Sequence, residues 1–391
     1  MRRGRLTMEP EMQERPLHVL LVHVWYWPHV GGGDQHVEQI GMELVRRGHR
    51  VTVWCADVPA NDEKRFNRGG VDVIRIEPST VLGGVDPLVS VKDLDMSDVD
   101  VVHLHDTLPV LIRRTLAKAR ASGKPIVTTY HNDYVKHTTA GRLLKRLRWR
   151  LQGLRTLNSS DARIVLTPYF EQLLRSKGVN GELEVIPNGF SPIEESPQAP
   201  PILAGRDSSR PLLVFVGRLS EQKGIDVMMD AWDIVASEGD PGYDLAIAGD
   251  GELRTWLTKR CSEANCASNI SLLGLVTESE KRWLFENGTA VVIPSRFEGL
   301  PTVLLESMYA GTPAIMTDVS GLGSLLIEAG AGITIPPEDP SSLASAMDEA
   351  ALANREKLDD WGAKGTIASQ EYLWSSVVDR VLEVYRKVSS D

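Results

Sequence analysis

Along the chain, short and almost wholly apolar runs alternate with longer segments whose apolar residues recur at helical spacing. The runs at 17–23, 51–55, 71–76, 101–105, 126–130 and 163–167 are rich in β-branched residues and read as strands. They are apolar at successive positions rather than alternating ones, which predicts a parallel sheet with helices on both faces. Between the first two runs, Val37, Ile40, Met42, Leu44 and Val45 predict an amphipathic helix over 36–48, ended by Gly48. The same pattern returns at 212–216, 244–248, 270–272, 290–293, 314–317 and 332–335, and Leu373, Val377, Val381, Val384 and Tyr385 predict a last helix over about 370–388.

Proline and polar residues dominate 191–210, between the two series, and mark a domain boundary. The expected organisation is a flexible tail over 1–16, a domain over 17–192, a linker over 193–210 and a domain over 211–391, the last helix packing back on the first domain. The fold class is α/β, two doubly wound domains facing a cleft, the default place for a ligand. No period of 20–50 residues repeats, so a solenoid is excluded.

Composition narrows the function. The length of 391 residues exceeds one ordinary core, and a net charge of −10 argues against a general nucleic-acid binder. No run of 18 apolar residues occurs, and 1–16 lacks the apolar core of a secretory signal. Three cysteines, Cys55, Cys261 and Cys266, fit structural thiols in a reducing, cytoplasmic setting. All nine histidines precede residue 138, so imidazole chemistry belongs to the front half. His103 and His105 are expected to face opposite sides of their strand and to form no joint site; a satisfied structural histidine is the preferred reading, with one of them lining the cleft as the alternative. Asp93-Leu94-Asp95 has the form of an Asp-x-Asp metal motif but reads as a polar turn before a strand.

The candidate chemistry lies in three loops. In Phe297-Glu298-Gly299-Leu300-Pro301-Thr302, Pro301 suits the first position of a helix whose free N–H groups at Gly299 and Leu300 form an anion site. Glu306, one turn further in among apolar residues, needs hydrogen-bonding partners, and a ribose diol would satisfy both its oxygens. In Gly217-Arg218-Leu219-Ser220-Glu221-Gln222-Lys223-Gly224, directly after a strand, two cations can neutralise a departing diphosphate without a metal. Between the first strand and its helix, Gly31, Gly32 and Gly33 allow close backbone approach. They are contiguous, not spaced as a dinucleotide fingerprint, and no Walker A sequence occurs, which disfavours hydride transfer and nucleoside triphosphate hydrolysis.

These loops, with Arg47-Gly48-His49, Ile186-Pro187-Asn188-Gly189, Ala248-Gly249-Asp250-Gly251 and Ala310-Gly311-Thr312-Pro313, resemble the retaining GT-B glycosyltransferases of family 4 (group 1). The resemblance runs over nearly the whole chain from residue 17. It implies a donor diphosphate held by Arg218 and Lys223 with backbone at Gly32, Gly299 and Leu300, and a nucleotide ribose on Glu306. It implies Glu298 on the transferred sugar, His131 as the active-site histidine, and an acceptor side near Gly31, Asp34 and Asn188. The implied reaction needs no metal or cofactor: a hexose-type sugar moves from a UDP- or GDP-linked donor to a glycan, lipid-linked or small-molecule acceptor, with retention. Asp34 stands where a longer Glu is common and Ser191 where Asp is, and both departures bear on acceptor contacts only. A sugar phosphorylase or nucleotide-sugar epimerase on the same scaffold, and a non-catalytic nucleotide-sugar-binding protein, stay open as alternatives. Residues 136–155, basic and without an acid, are expected either to lie on an anionic membrane surface, making the protein peripheral, or to pack by their leucines.

Overall fold

The protein is described by a computed structural model over residues 15–29, 32–82, 86–131, 148–319 and 323–389. The chain divides into two compact units, one holding Met1–Val165, Leu174–Glu184 and Val381–Asp391, the other Leu166–Leu173 and Val185–Arg380.

The first unit is built on β1 (His18–Val22), β2 (Arg50–Ala56), β3 (Arg65–Arg68), β4 (Val71–Ile76), β7 (Val101–His105), β8 (Ile126–Tyr130) and β9 (Ala162–Val165), with β5 (Pro78–Leu82) and β6 (Asp86–Val89) as a separate antiparallel pair. A two-residue strand, β10 (Glu184–Val185), edges the main sheet, whose order is β10-β9-β8-β7-β1-β2-β4-β3. Strands β9, β8, β7, β1, β2 and β4 pair in parallel, and β3 runs antiparallel on β4. Counted in chain order, the parallel strands lie third, second, first, fourth, fifth, sixth, so the winding reverses between β1 and β7.

The second unit repeats the plan with β11 (Leu212–Val216), β12 (Asp244–Ala248), β13 (Ile270–Gly274), β14 (Ala290–Ile293), β15 (Ala314–Thr317) and β16 (Gly332–Ile335). Their order is β13-β12-β11-β14-β15-β16, every pair parallel, with the reversal between β11 and β14. Strand β11 shows why these runs must be apolar throughout. Leu213 and Phe215 enter one core with Met228 and Trp232, while Leu212 and Val214 enter the core on the other face with Leu284 and Leu304.

Departures from the expected elements are local. The first helix begins at Gly32 rather than at 36 and ends at Arg46. Strand β9 stops at Val165, because Thr167 already accepts the Phe170 N–H at the head of the next helix, Pro168–Ser176. The polar strand β3 follows no apolar pattern, and its sequence signal is the turn: Gly69 and Gly70 take φ of 59° and 86°, and Asn67 Oδ1 accepts the Gly70 N–H at 3.0 Å. The proline-rich stretch is fastened to the second unit: Leu203 is buried, Arg206 donates to Asp244 at 2.8 Å, and Arg282 reaches the Ile193 carbonyl at 3.2 Å.

The last helix, Trp374–Ser389, passes from the second unit into the first, where Tyr385 is buried with its hydroxyl 2.7 Å from His103 Nδ1. Burial pushes the Cys55 thiol up to about 12 and the Cys261 thiol up to about 11. Asp95 accepts the Ser97 N–H and hydroxyl, as a polar turn does. No helix among the described residues is long and apolar enough to cross a membrane. Of 136–155, only 148–155 is described: Arg148 pairs with Asp86 at 3.0 Å, Trp149 is buried, and Arg150 and Arg155 are exposed.

Candidate functional site

In the second unit, the loops leaving β11 and β14 meet at the point where the winding reverses, the place an open α/β sheet offers a ligand. The loop after β11 is shaped by backbone packing. Gly249 takes φ of 143°, and a Cβ there would stand 1.8 Å from the Gly217 carbonyl oxygen. Gly224, at φ of 62°, lies equally close to the Pro294 carbonyl, where a Cβ would approach to 2.0 Å. Only glycine fits either position.

Above that floor, Lys223 Nζ lies 2.5 Å from Glu298 Oε1, and the Ser295 hydroxyl donates to the same oxygen at 2.6 Å. Glu298 is only 6% exposed, and its Oε2 has no bond among the described residues. Arg218 is exposed, and its guanidinium has no partner among the described residues. Arg296 ties the loops together. Its guanidinium reaches the Glu221 carbonyl at 2.6 Å, both Asp226 oxygens at 2.7 Å, and Glu338; its N–H donates to the Gln222 carbonyl at 2.8 Å. Gln222 Nε2 in turn holds the Phe297 carbonyl at 2.9 Å. The Arg296 guanidinium pulls the Asp226 carboxyl below its ordinary range.

Pro301 precedes the helix Thr302–Tyr309 as its cap, with ψ of 119°, rather than opening it as the first helical residue. Gly299 is exposed and Leu300 half-buried at this mouth. Within the helix, Glu306 Oε1 is taken by Lys281 Nζ at 3.2 Å, so Lys281 shares the carboxylate that a ribose was expected to satisfy alone. Burial raises the Glu306 carboxyl above its ordinary value in spite of that cation. Burial also works against the charge on Lys281, but Glu306 and Glu278 outweigh it and hold the ammonium above its ordinary value.

The remaining predicted residues belong to the first unit, except Asn188, which is half-buried in the second. Gly31 lies outside the described residues, and Gly32 is the first residue of its helix. Asp34 is 5% exposed and bonded to His23 Nε2 at 3.2 Å and to His29 Nδ1. Burial alone would raise its carboxyl, but the two imidazoles lower it. His131, half-buried just past β8, has Nε2 3.2 Å from His105 Nδ1.

The expectation that His103 and His105 face opposite sides is overturned. Residues two apart on a strand share a face, and the two ring centroids are 4.0 Å apart. His103 is indeed satisfied, by Tyr385 and by Thr129 Oγ1 at 2.7 Å, whereas His105 Nε2 is buried without a partner. Burial drives His103, His105 and His131 well below the ordinary imidazole value, so all three are neutral. The next residue, Asp106, takes φ of 107°, a strained backbone at a strand end.

Four residues of the second unit's site escaped the sequence reading. Ser295 and Arg296 carried a usable signal, since they sit between a strand end and the Glu298 turn. Gln222 lies inside the loop already singled out, whereas Lys281 comes from a separate helix, Glu278–Asn287, and meets Glu306 only in three dimensions.

Residues 204–367 match the family described as glycosyl transferases group 1, and residues 30–192 match glycosyltransferase family 4. An uncharacterized glycosyltransferase of Methanocaldococcus jannaschii is 25% identical over 93% of this chain and 96% of its own. A phosphatidyl-myo-inositol mannosyltransferase of Mycobacterium leprae is 27% identical over 92% of this chain and 94% of its own. Anabaena HepE, solved in complex with UDP, shares the fold with a TM-score of 0.70 at 18% identity, over 95% of this chain and all of its own (100%).

Proposed function

The chain belongs to the group 1, family 4 glycosyltransferases, and on that premise we propose that it moves a hexose-type sugar, with retention and without a metal, from a UDP- or GDP-linked donor to a glycan, lipid-linked or small-molecule acceptor. The observation that carries this reading is the pair of half-satisfied carboxylates beside two cations. Glu298 and Glu306 each spend Oε1 on a lysine and keep Oε2 open, and Arg218 is exposed at the same reversal point. An open oxygen on a carboxylate held in this way is a strong acceptor for a hydroxyl. Glu298 Oε2 receives a hydroxyl of the transferred sugar, and Glu306 Oε2 receives the ribose. Arg218 and the N–H groups at the mouth of the Thr302–Tyr309 helix take the phosphates, and Lys223 adds charge behind them.

As the bond from the anomeric carbon to the phosphate oxygen breaks, negative charge builds on the diphosphate, where fixed cations stabilise it. The acceptor oxygen attacks from the same face, and its proton passes to the departing phosphate. The family resemblance assigns His131 a part in this step. The cytoplasm supplies such donors, and contact with an anionic membrane surface through 136–155 brings a lipid-linked acceptor within reach.

Lys223→Ala and Glu306→Ala are each expected to abolish transfer while leaving the circular-dichroism spectrum unchanged. Wild-type turnover in either refutes the assignment. A thermal-shift screen of UDP-, GDP- and ADP-sugars identifies the donor, because a ligand at about 100 times its Kd adds about 2.7 kcal/mol to stability. The anomeric configuration of the product, read by NMR, decides retention. Release of sugar phosphate from a glycan, or isomerisation of the donor without acceptor, would instead mark a phosphorylase or an epimerase.

A further inference from the structure

The first unit holds a cavity of about 390 Å³ at the edge of its sheet where the parallel strands begin, away from the strand ends that form the reversal point. Lys124 and Pro125, which precede β8, and Asp161, which precedes β9, line it. Every other lining residue also belongs to the first unit. The volume lies toward the small end of ligand pockets, which span about 300–1,000 Å³.

Two arginines of the lining are anchored on the turn that ends the helix Leu154–Asn158. Arg163 Nε donates to the Leu157 carbonyl at 2.8 Å and its Nη2 to the Ser160 carbonyl at 2.6 Å, while Arg120 Nη2 donates to the Ser159 carbonyl. These anchors fix both guanidiniums. They leave Arg163 Nη1 and Arg120 Nε without a hydrogen-bond acceptor among the described residues. Gly181, at φ of 82°, makes room for Nη1, since a Cβ there would stand 2.9 Å from it. Counter-ions are short as well. Among the described residues no carboxylate pairs with Arg163, and Asp161 stands 3.6 Å from Arg120 while its Oδ2 accepts the Ile126 N–H at 2.8 Å. Burial holds the Arg163 guanidinium below its ordinary value, and the neighbouring charge of Arg120 adds to this against the pull of Asp161.

An anion relieves two adjacent cations of this kind, and a guanidinium presents its N–H groups in a fork that matches phosphate oxygens. The rest of the lining sets what the anion carries. Lys387 is spent on Glu182 at 2.6 Å and lies 3.5 Å from Glu184, with Val384 of the same helix also lining the cavity. Carboxylates accept hydroxyls, and they repel a polyanion or an anionic membrane. We propose that this cavity binds a small soluble phosphate ester, its phosphate on Arg120 and Arg163 and its hydroxyl-bearing body on Glu184. The inference rests on the first unit alone and is independent of donor binding in the second.

The test titrates the full chain calorimetrically with glycerol 3-phosphate, inorganic phosphate and glycerol. Saturable binding is expected for both phosphates, tighter for the ester, and none for glycerol. Amide hydrogen exchange should slow at 120–126 and 157–163 on addition of the ester and stay unchanged at 217–224. Arg163→Gln and Arg120→Gln should each weaken binding about ten-fold or more. The Arg120 side chain is half exposed, so its variant serves if substitution of Arg163 prevents folding. Absence of saturable binding of either phosphate overturns the proposal, as does binding that both variants leave unchanged. Protection confined to 217–224 would place the phosphate in the second unit and overturn it too. Inorganic phosphate binding as tightly as the ester would overturn the hydroxyl contacts.

Discussion

Glu298 shows how much one side chain can organise. Its Oε1 gathers an ammonium and a hydroxyl from two different loops, while Oε2 stays open. Glu298→Gln keeps the shape and drops the charge, so kcat should fall about 100-fold, the scale of losing one preorganised electrostatic contact. The melting temperature should change little. Lys281 offers a complementary case, because it bonds Glu306 from a separate helix. For Lys281→Met we expect the donor KM to rise about ten-fold, about 1.4 kcal/mol, with kcat nearly unchanged. Steady-state kinetics separates the two outcomes, and an equal loss of kcat in Lys281→Met would place that lysine in the chemistry. Glu298 and Glu306 were legible in the sequence because a carboxylate beside a Gly-Leu-Pro turn, or inside an apolar helix, demands an explanation. Lys281 was not legible, since a lysine in an amphipathic helix looks solvated until its neighbour is known.

At the scale of elements, Arg296 is the buckle of the site, joining the loop after β11, the helix Ile225–Val235 through Asp226, and Glu338. Asp226 is partly exposed, so the pair is screened, and Asp226→Asn should cost about 1 kcal/mol at pH 7. Because the folded-state carboxyl is held below its unfolded value, that contribution is complete above about pH 4 and disappears as the pH falls through the folded value. Urea unfolding of both proteins at pH 7 and near pH 2.5 checks it; a gap that persists undiminished in acid would mean that Asp226 acts by packing rather than by charge. The parallel strands announced themselves as apolar runs because both of their faces are buried. The polar strand β3 buries too little to leave a pattern, and β5 and β6 are half-exposed in part. The two histidines of β7 share a face because a strand repeats every two residues, a period that the sequence alone displays.

For the whole molecule, each unit repeats one winding, and each gathers candidate site residues where that winding reverses. The sequence alternation was enough to foresee two sheets of this kind, while the exchange of segments at 166–173 and 381–391 depends on packing that no local pattern carries. UDP should slow amide hydrogen exchange at 217–224 and 296–306 by about ten-fold or more while leaving the β1 and β7 ends unchanged, a contrast that mass spectrometry reads directly. Protection confined to the first unit would move the donor site there. Beneath Arg218, finally, the Gly217 carbonyl meets Gly249 with no side chain between them. That contact therefore admits no side chain: Gly249→Ala should leave little folded protein, and any change of donor preference would have to be engineered on the rim, in side chains that stand clear of this backbone floor.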